Sequence, residues 1–501
     1  MKKSIILAAA LMVALAAVPA SASVQNLKIG GSVDSTYLFR DNFDLGANIL
    51  ADETQSLFIT QTILRADADL TDQVSATVAL INERAWGNDN AGGATTDTGV
   101  DLLLAYVTLR EMLYSPLTVV AGRQSYHFGN SLVIDSGGTN NAAPTDSGLA
   151  AVAGDLTKQT VHDAIRMIFD YDPLTMELVY AKHDANTLTL ANDDRDDIDL
   201  YGINTTYELG DDMNTQVEAY FFSRIDKSLG QNAGATEIGS KSDTVYMPGL
   251  RGSADVLDGL NIQGEVAWQR GNRVAATTTV GNNPANLQNE QRDAMAAQFI
   301  SNYQIPKDIL PDSLEAYNPI LGYVYTWVSG DSNPNDRSGP GGAALGKQAS
   351  QNRFTAWDPM YENQGGGTIY NSLFNLSNLQ IHSVSFQATP IEDVTTKVIW
   401  NGLWLDKEID SGNGTLALVQ PDGTATTPAN ARVDTGKTDL GYEIDWVTTY
   451  DYTEDVQFGA NLGWFIPGDV FLGDPLPNAQ AGTNGNDKMA SQVIVHGNVN
   501  F

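Results

Sequence analysis

Apolar and polar residues alternate in short segments from one end of the chain to the other. In the segment from Leu260 to Gln269, for example, the even positions are apolar or glycine, and the odd positions are polar except for Ala267. Because successive side chains of a β-strand point to opposite faces, each segment predicts a strand with one apolar face and one polar face. About 18 such segments occur, each long enough for a tilted strand to cross a bilayer, which takes ~9–11 residues. They lie at residues 27–40, 56–70, 73–84, 101–110, 117–125, 161–171, 174–183, 198–207, 215–224, 244–254, 260–270, 293–303, 317–329, 378–389, 393–405, 438–450, 455–466 and 489–501.

The connections between these segments alternate between short and long. The short ones have the composition of turns, as in Asp69–Asp72 and Asp451–Asp455, whereas the long ones are rich in Gly, Asn, Asp and Thr. Transmembrane β-barrels have this asymmetry, with short periplasmic turns and long external loops, and soluble β-sandwiches do not require it. The pattern therefore predicts an all-β fold, namely one transmembrane antiparallel β-barrel of about 18 strands over residues 23–501.

The longest connection, residues 330–377, has two open placements. It either folds into the barrel as a constriction or stays at the surface as an external loop. It begins with an oxygen-rich run, in which Asp331, Asn333, Asn335 and Asp336 are candidate calcium ligands. The run lacks the Gly and the distal Glu of an EF-hand loop, so a solvated turn is the alternative to a calcium site.

The two ends of the chain carry features of export and membrane assembly. Residues 1–22 start with Met1 and two lysines, continue with an apolar stretch and end in the small-x-small sequence Ala20–Ala22, which predicts a secretory leader cleaved before Ser23. An uncleaved N-terminal anchor is the alternative. The last segment ends in Phe501 and resembles the C-terminal signal that the assembly machinery of the bacterial outer membrane reads. We therefore expect the outer membrane of a Gram-negative bacterium, with its lipid and its assembly machinery as partners.

The composition excludes several classes of protein. The formal charge is −33, and removing Lys2 and Lys3 with the leader makes it −35, whereas a nucleic-acid-binding protein should be basic. The chain has no cysteine, so it has neither disulfides nor thiolate metal sites. A mean hydropathy of −0.20 is compatible with a barrel, because only every second residue of a strand must be apolar.

Charged residues at the polar parity of the strands are candidates for the wall of a water-filled lumen. A charge that faces lipid at mid-depth costs ~2–4 kcal/mol, so it is expected to face inward. In segment 56–70, Phe58 and Leu64 define the outer face, which directs Arg65 and Asp67 inward. Arginines and carboxylates in a lumen either pair structurally or create a field that selects solutes. The same reasoning gives the pore-lining candidates Arg65, Asp67, Arg166, Glu218, Arg224, Arg251, Glu265, Lys397, Glu443 and Asp445.

The sequence gives no local motif for catalysis. None of the five histidines stands in a metal-binding or nucleophile arrangement. We therefore expect neither an enzymatic activity nor a cofactor, apart from calcium at the candidate site above. A barrel enzyme and an adhesive surface structure are the alternatives from other classes.

Four stretches resemble the alginate-export family of outer-membrane porins. They are AYVTL followed by GRQ at residues 105–124, TWVSGD at Thr326–Asp331, DPMYENQ at Asp358–Gln364 and GYEIDW at Gly441–Trp446. The resemblance implies an 18-stranded barrel and an arginine-lined constriction that passes an anionic polysaccharide. It also implies that Arg123, the arginine of GRQ, is a pore-lining residue.

The predicted barrel and the resemblance together indicate two transport functions. The first is passive diffusion of small hydrophilic solutes, including anionic ones, through the lumen. The second is export of an anionic polysaccharide such as alginate. The acidic chain disfavours the second, because acidic loops repel a uronate polymer unless calcium or local arginines offset them.

Overall fold

The fold is known from a computed structural model of the chain. The structure describes residues 24–43, 45, 54–87, 99–114, 116–136, 143–144, 147–184, 197–227, 242–276, 287–311, 314–331, 353–364, 366–408, 418–419, 425–426, 436–471 and 488–501. The predicted leader, residues 1–22, lies outside the described residues and stays a prediction.

Eighteen strands form the wall of the molecule. They are β1 Asn26–Asp41, β2 Gln55–Asp69, β3 Val74–Ala85, β4 Asp101–Leu109, β5 Leu117–Gln124, β6 His162–Asp170, β7 Leu174–Asp184, β8 Ile198–Glu208, β9 Gln216–Asp226, β10 Asp243–Leu257, β11 Leu260–Ala276, β12 Leu287–Gln304, β13 Ile320–Val328, β14 Leu379–Ile391, β15 Val394–Leu405, β16 Asp439–Asp451, β17 Val456–Pro467 and β18 Ala490–Asn500. A two-residue strand, Arg353–Phe354, adds to β12 in parallel, and Leu418–Val419 pairs with Ala425–Thr426.

The sheet closes on itself as an antiparallel barrel. Each wall strand pairs with its neighbours in the chain, and β1 also pairs with β18 in the register from Ser32 opposite Asn500 to Asp41 opposite Ser491. Closure leaves no unpaired sheet edge, which is the condition for a sheet to cross a bilayer. The prediction of an antiparallel transmembrane barrel is confirmed.

The described residues contain little helix. There is one α-helix, α1 at Tyr370–Leu373, and there are short 3-10 helices at Met112–Tyr114, Gly154–Leu156, Lys307–Ile309 and Glu315–Tyr317. Among the helices of the described ranges, none has the length and apolar character needed to span a bilayer.

The outer and inner faces of the wall differ as the alternation requires. In β9, Val217 and Phe221 are exposed on the outside, whereas Glu218 and Phe222, each one position later, are buried on the inside. The pattern recurs in β18, where Val495 and Val499 face outward. Ile494, which breaks the polar parity of this last strand, is buried inside the barrel.

Two connections fold into the barrel. The first inward segment consists of the described residues between β5 and β6, namely 125–136, 143–144 and 147–161, and its Leu149 and Ala153 are fully buried. The second inward segment consists of the described residues 353–364 and 366–377, between β13 and β14, and its Ile369 and Leu373 are fully buried. Of the two placements that the sequence allowed for residues 330–377, the described residues 353–377 therefore take the inward one.

Candidate functional site

The pairing register assigns a face to every pore-lining candidate, because residues opposite each other on paired strands share a face. Arg251 lies opposite both Glu218 and Glu265, so these three form one row inside the barrel. All the candidates except Arg123 lie on the inner face, at positions alternating with exposed apolar residues.

Arg123 lies on the outer face, which corrects the expectation that it lines the pore. It pairs with Asp163, which shares its parity with the exposed Ile165 and Met167, and its Nη1 lies 3.2 Å from Asp163 Oδ2. Lys182 pairs with Asp163, and Asp199 pairs with Lys182, so these two charged residues also lie on the outer face. These charges lie at the ends of β5–β8 next to the long connections, where the outer face leaves the hydrocarbon, so they do not carry the cost of a charge at mid-depth.

Carboxylates of the wall hold the tip of the first inward segment. The backbone N–H groups of Gly129 and Asn130 donate to Glu218 Oε1 at 2.9 Å and to Glu265 Oε2 at 2.7 Å. Gly129 has a φ of +60°, and a Cβ there would stand 2.7 Å from the carboxylate oxygens of Glu265, so a glycine is required. Arg251 also binds the tip of this segment, because its Nε donates to Asn130 Oδ1 at 2.6 Å.

Two charged residues that the sequence did not single out hold the rest of this segment. Glu83, which is 3% exposed, accepts from the hydroxyls of Ser147 and Thr157 and from the N–H of Lys158. Arg40 forms an ion pair with Asp155, with Nη2 2.5 Å from Oδ2. Both are inward-facing charges of wall strands, so the parity rule could have found them.

A buried ion-pair network holds the start of the second inward segment. Asp358 accepts from Arg224 Nη1 at 3.1 Å and lies 3.2 Å from Arg292 Nη1. Arg292 also binds Asp243 at 2.7 Å. Burial opposes the ionisation of Asp358, but Arg224 and Arg292 outweigh it and hold the pKa of its carboxyl below the usual value. The two arginines therefore favour the ionised form of Asp358 inside the barrel.

A second pair of wall carboxylates holds the far end of the same segment. Glu443 accepts from the N–H groups of Ile369 and Tyr370 at 2.9 and 2.6 Å. Asp445 accepts from the hydroxyl of Thr368 at 2.7 Å. These two candidates are fully buried, so they anchor the segment instead of contacting water in the lumen.

The two inward segments also bind each other. Tyr361 exchanges backbone hydrogen bonds with Val133 and Asp135, and the N–H of Asn363 donates to the carbonyl of Ser131. Through their wall contacts, the two segments together reach β1–β3, β9, β11, β12, β16 and β18. A solute that moves along the barrel must pass them, so they form the constriction.

Arg166 pairs with Glu177, with Nη2 2.5 Å from Oε2, and its guanidinium lies 5.2 Å from the ring of Tyr126 in the first inward segment. The three remaining candidates lie closer to the short-turn end of the barrel. Arg65 forms a bidentate pair with Asp67 at 2.7 and 2.9 Å, and Arg65 is about half exposed. Lys397 faces the same compartment from β15. Such partly hydrated charges attract or repel solutes without binding them tightly.

Glu362 makes the constriction sensitive to pH. Burial raises the pKa of its carboxyl to about 7. The N–H of Gln364 donates to this carboxylate and favours its ionised form, but its effect is smaller than that of burial. Ionisation of Glu362 therefore destabilises the docked second segment. This loss of docking free energy is absent below pH ~4.5, grows as the pH rises and reaches its full value above pH ~7.

We expect hydrogen exchange of residues 353–364, corrected for the intrinsic pH dependence, to quicken between pH 5 and pH 8. Glu362→Gln should abolish this change, because glutamine does not ionise. An equal pH dependence in the wild-type protein and the variant would contradict the assignment.

The calcium candidates are divided by the limits of the described residues. Asp331 accepts from the N–H of Thr355 at 3.1 Å, whereas Asn333, Asn335 and Asp336 lie outside the described part of the chain. Within the described residues, no group of three His, Cys, Asp or Glu side chains is arranged to hold a metal. The calcium site therefore stays a prediction.

Comparisons with known proteins agree with the barrel architecture. The model of the alginate-export family matches residues 25–479. The outer-membrane protein OpdK of Pseudomonas aeruginosa has a similar structure, with a TM-score of 0.52 and 10% identity over 95% of this chain and 100% of OpdK. OpdK with vanillate gives a TM-score of 0.53 at 9% identity with the same coverage. OccK2 (OpdF) of the same organism gives 0.51 at 10% identity over 95% of this chain and 98% of OccK2. No curated protein matches the sequence.

Proposed function

Because this chain belongs to the alginate-export family, we propose that it is an outer-membrane channel that passes small hydrophilic solutes by passive diffusion. The observation that carries the proposal is the constriction, in which two inward segments are tethered by ionic and backbone hydrogen bonds inside a polar lumen. A barrel that only anchors a surface structure has no need for such a lumen.

The charges at the constriction favour small solutes over an anionic polysaccharide. Arg40, Arg224, Arg251 and Arg292 each contact a carboxylate of the wall or of an inward segment. A conduit for a uronate polymer needs a row of cations free to bind successive carboxylates. Export of such a polymer is therefore the second candidate, supported by the family membership alone.

Planar-bilayer recording tests the proposal directly. The purified full-length protein should give steady, open conductance steps with measurable ion selectivity. Closed membranes accompanied by lipid hydrolysis would instead indicate a barrel enzyme and overturn the proposal, which includes no catalytic step. Recognition of Phe501 by the assembly machinery belongs to the same proposal, and deleting Phe501 should lower the amount of protein recovered in the outer-membrane fraction.

A further inference from the structure

A cavity of about 220 Å³ lies in the lumen beside the constriction. Its lining comes from both inward segments and from the inner faces of β14, β17 and β18. The cavity holds the volume of roughly seven liquid waters, which suits one sugar-sized ring and not a folded polymer.

The described lining residues include neither lysine nor arginine. Their polar groups are mainly side-chain amides and hydroxyls, among them Asn363, Asn371 and Asn461, and their apolar groups include Phe374 and Ile494. Small-molecule sites have this character, with an apolar surface and a few polar groups that fix orientation.

The two acidic lining residues already have partners. Asp155 is paired with Arg40 and accepts from the hydroxyl of Ser372 at 2.9 Å. Glu362 accepts from the N–H of Gln364 at 2.7 Å. Arg40, which contacts the lining residues Asp155 and Gln492, is almost fully buried and offers no free group to an anionic solute.

We infer that this cavity is a binding subsite for an uncharged, hydroxyl-rich solute of monosaccharide size, an inference that rests on the proposed channel function. When a neutral polyol enters, its hydrogen bonds to water are replaced by hydrogen bonds to the amides and hydroxyls, with little net change in free energy. Its C–H faces pack on Phe374 and Ile494. A carboxylated solute loses hydration there without gaining a cation.

Single-channel recording with D-glucose and D-glucuronate at equal concentrations tests the inference. Glucose should produce concentration-dependent interruptions of the current, and glucuronate should produce fewer. Glucuronate blocking as well as or better than glucose, or neither solute blocking an open channel, would overturn the subsite and leave the channel function intact. Membranes without conductance would overturn both.

Two substitutions on the inner face test whether glucose blocks the current from within this cavity. Asn461→Leu should raise the glucose concentration for half-maximal block by roughly fivefold, the effect of one lost hydrogen bond. Asn302→Leu is the matched control, because Asn302 is an exposed inner-face amide of β12 near the short-turn end and outside the cavity, and it should leave the block unchanged. Titration calorimetry of glucose with the detergent-solubilised protein gives a readout independent of conductance, and no binding there would contradict the inference.

Discussion

Replacing Asp358 with alanine should undock the start of the second inward segment and raise the open-channel conductance. Among the described residues, the substitution removes one of the two carboxylates that both Arg224 and Arg292 contact in a buried site, and leaves them only Asp243, at 3.8 and 2.7 Å. Removing one partner of a buried ion pair costs ~3–5 kcal/mol, which shifts the equilibrium between the docked and undocked segment by roughly 100-fold or more. Single-channel conductance of the wild-type protein and the variant measures the effect.

Asp163→Ala is the matched control for this variant. Asp163 is also paired with an arginine, Arg123, but the pair lies on the outer face and Asp163 is 60% exposed. An exposed ion pair contributes little to stability, so the loss of this pair should leave the conductance unchanged. Equal conductance of Asp358→Ala and the wild-type protein, with both barrels assembled, would show that the second segment does not narrow the path.

Leu250→Arg should prevent stable assembly of the barrel in the membrane. Leu250 lies midway along β10 on the outer face and is half exposed in the isolated chain, so it faces lipid. An arginine at the bilayer midplane costs ~2–4 kcal/mol on the outer face of a barrel. The measurement is the fraction of protein that keeps the heat-modifiable, folded mobility in gel electrophoresis.

Ser253→Arg on the same strand is the control for Leu250→Arg. Ser253 lies on the inner face, where its neighbours across the pairs are Gln216 and Gln263. A charge there meets polar groups and water, so the variant should assemble like the wild-type protein. Equal loss of assembly in both variants would contradict the assignment of faces.

Much of the wall follows from alternation alone. The 18 predicted segments coincide with the 18 strands to within a few residues at nearly all ends. The largest differences are in β11 and β12, which pair as far as Ala276 and Leu287. These ends carry runs such as Gly271–Arg273 that do not alternate, because strands that continue beyond the lipid no longer need an apolar face.

The faces of single residues follow from parity and not from motif resemblance. Parity with their apolar neighbours directs Arg166 and Glu265 inward, and both lie on the inner face. The expectation for Arg123 rests on the GRQ motif alone. The segment Leu117–Gln124 has two adjacent valines and no clean alternation, so its parity gives no check on the motif.

The tethers of the inward segments are not predictable from any single stretch. Asp358 meets Arg224 and Arg292 only after the barrel closes, since the three lie on separate elements. One signal is present, however. Stretches rich in large apolar residues, such as Ile369–Leu376 with Leu373 and Phe374, are unusual in an external loop and are typical of a segment that packs inside.

The most direct test of a wet interior and a lipid-facing exterior uses the absence of cysteine from the chain. Lys397→Cys and Val398→Cys place single thiols at adjacent positions on opposite faces of β15, and a charged, water-soluble thiol reagent is applied during bilayer recording. We predict that the reagent reduces the current through the Lys397→Cys channel and leaves the Val398→Cys channel unchanged. A reduced current at Val398→Cys with none at Lys397→Cys, or equal reactivity at both positions, would contradict the assignment of a wet interior and a lipid-facing exterior.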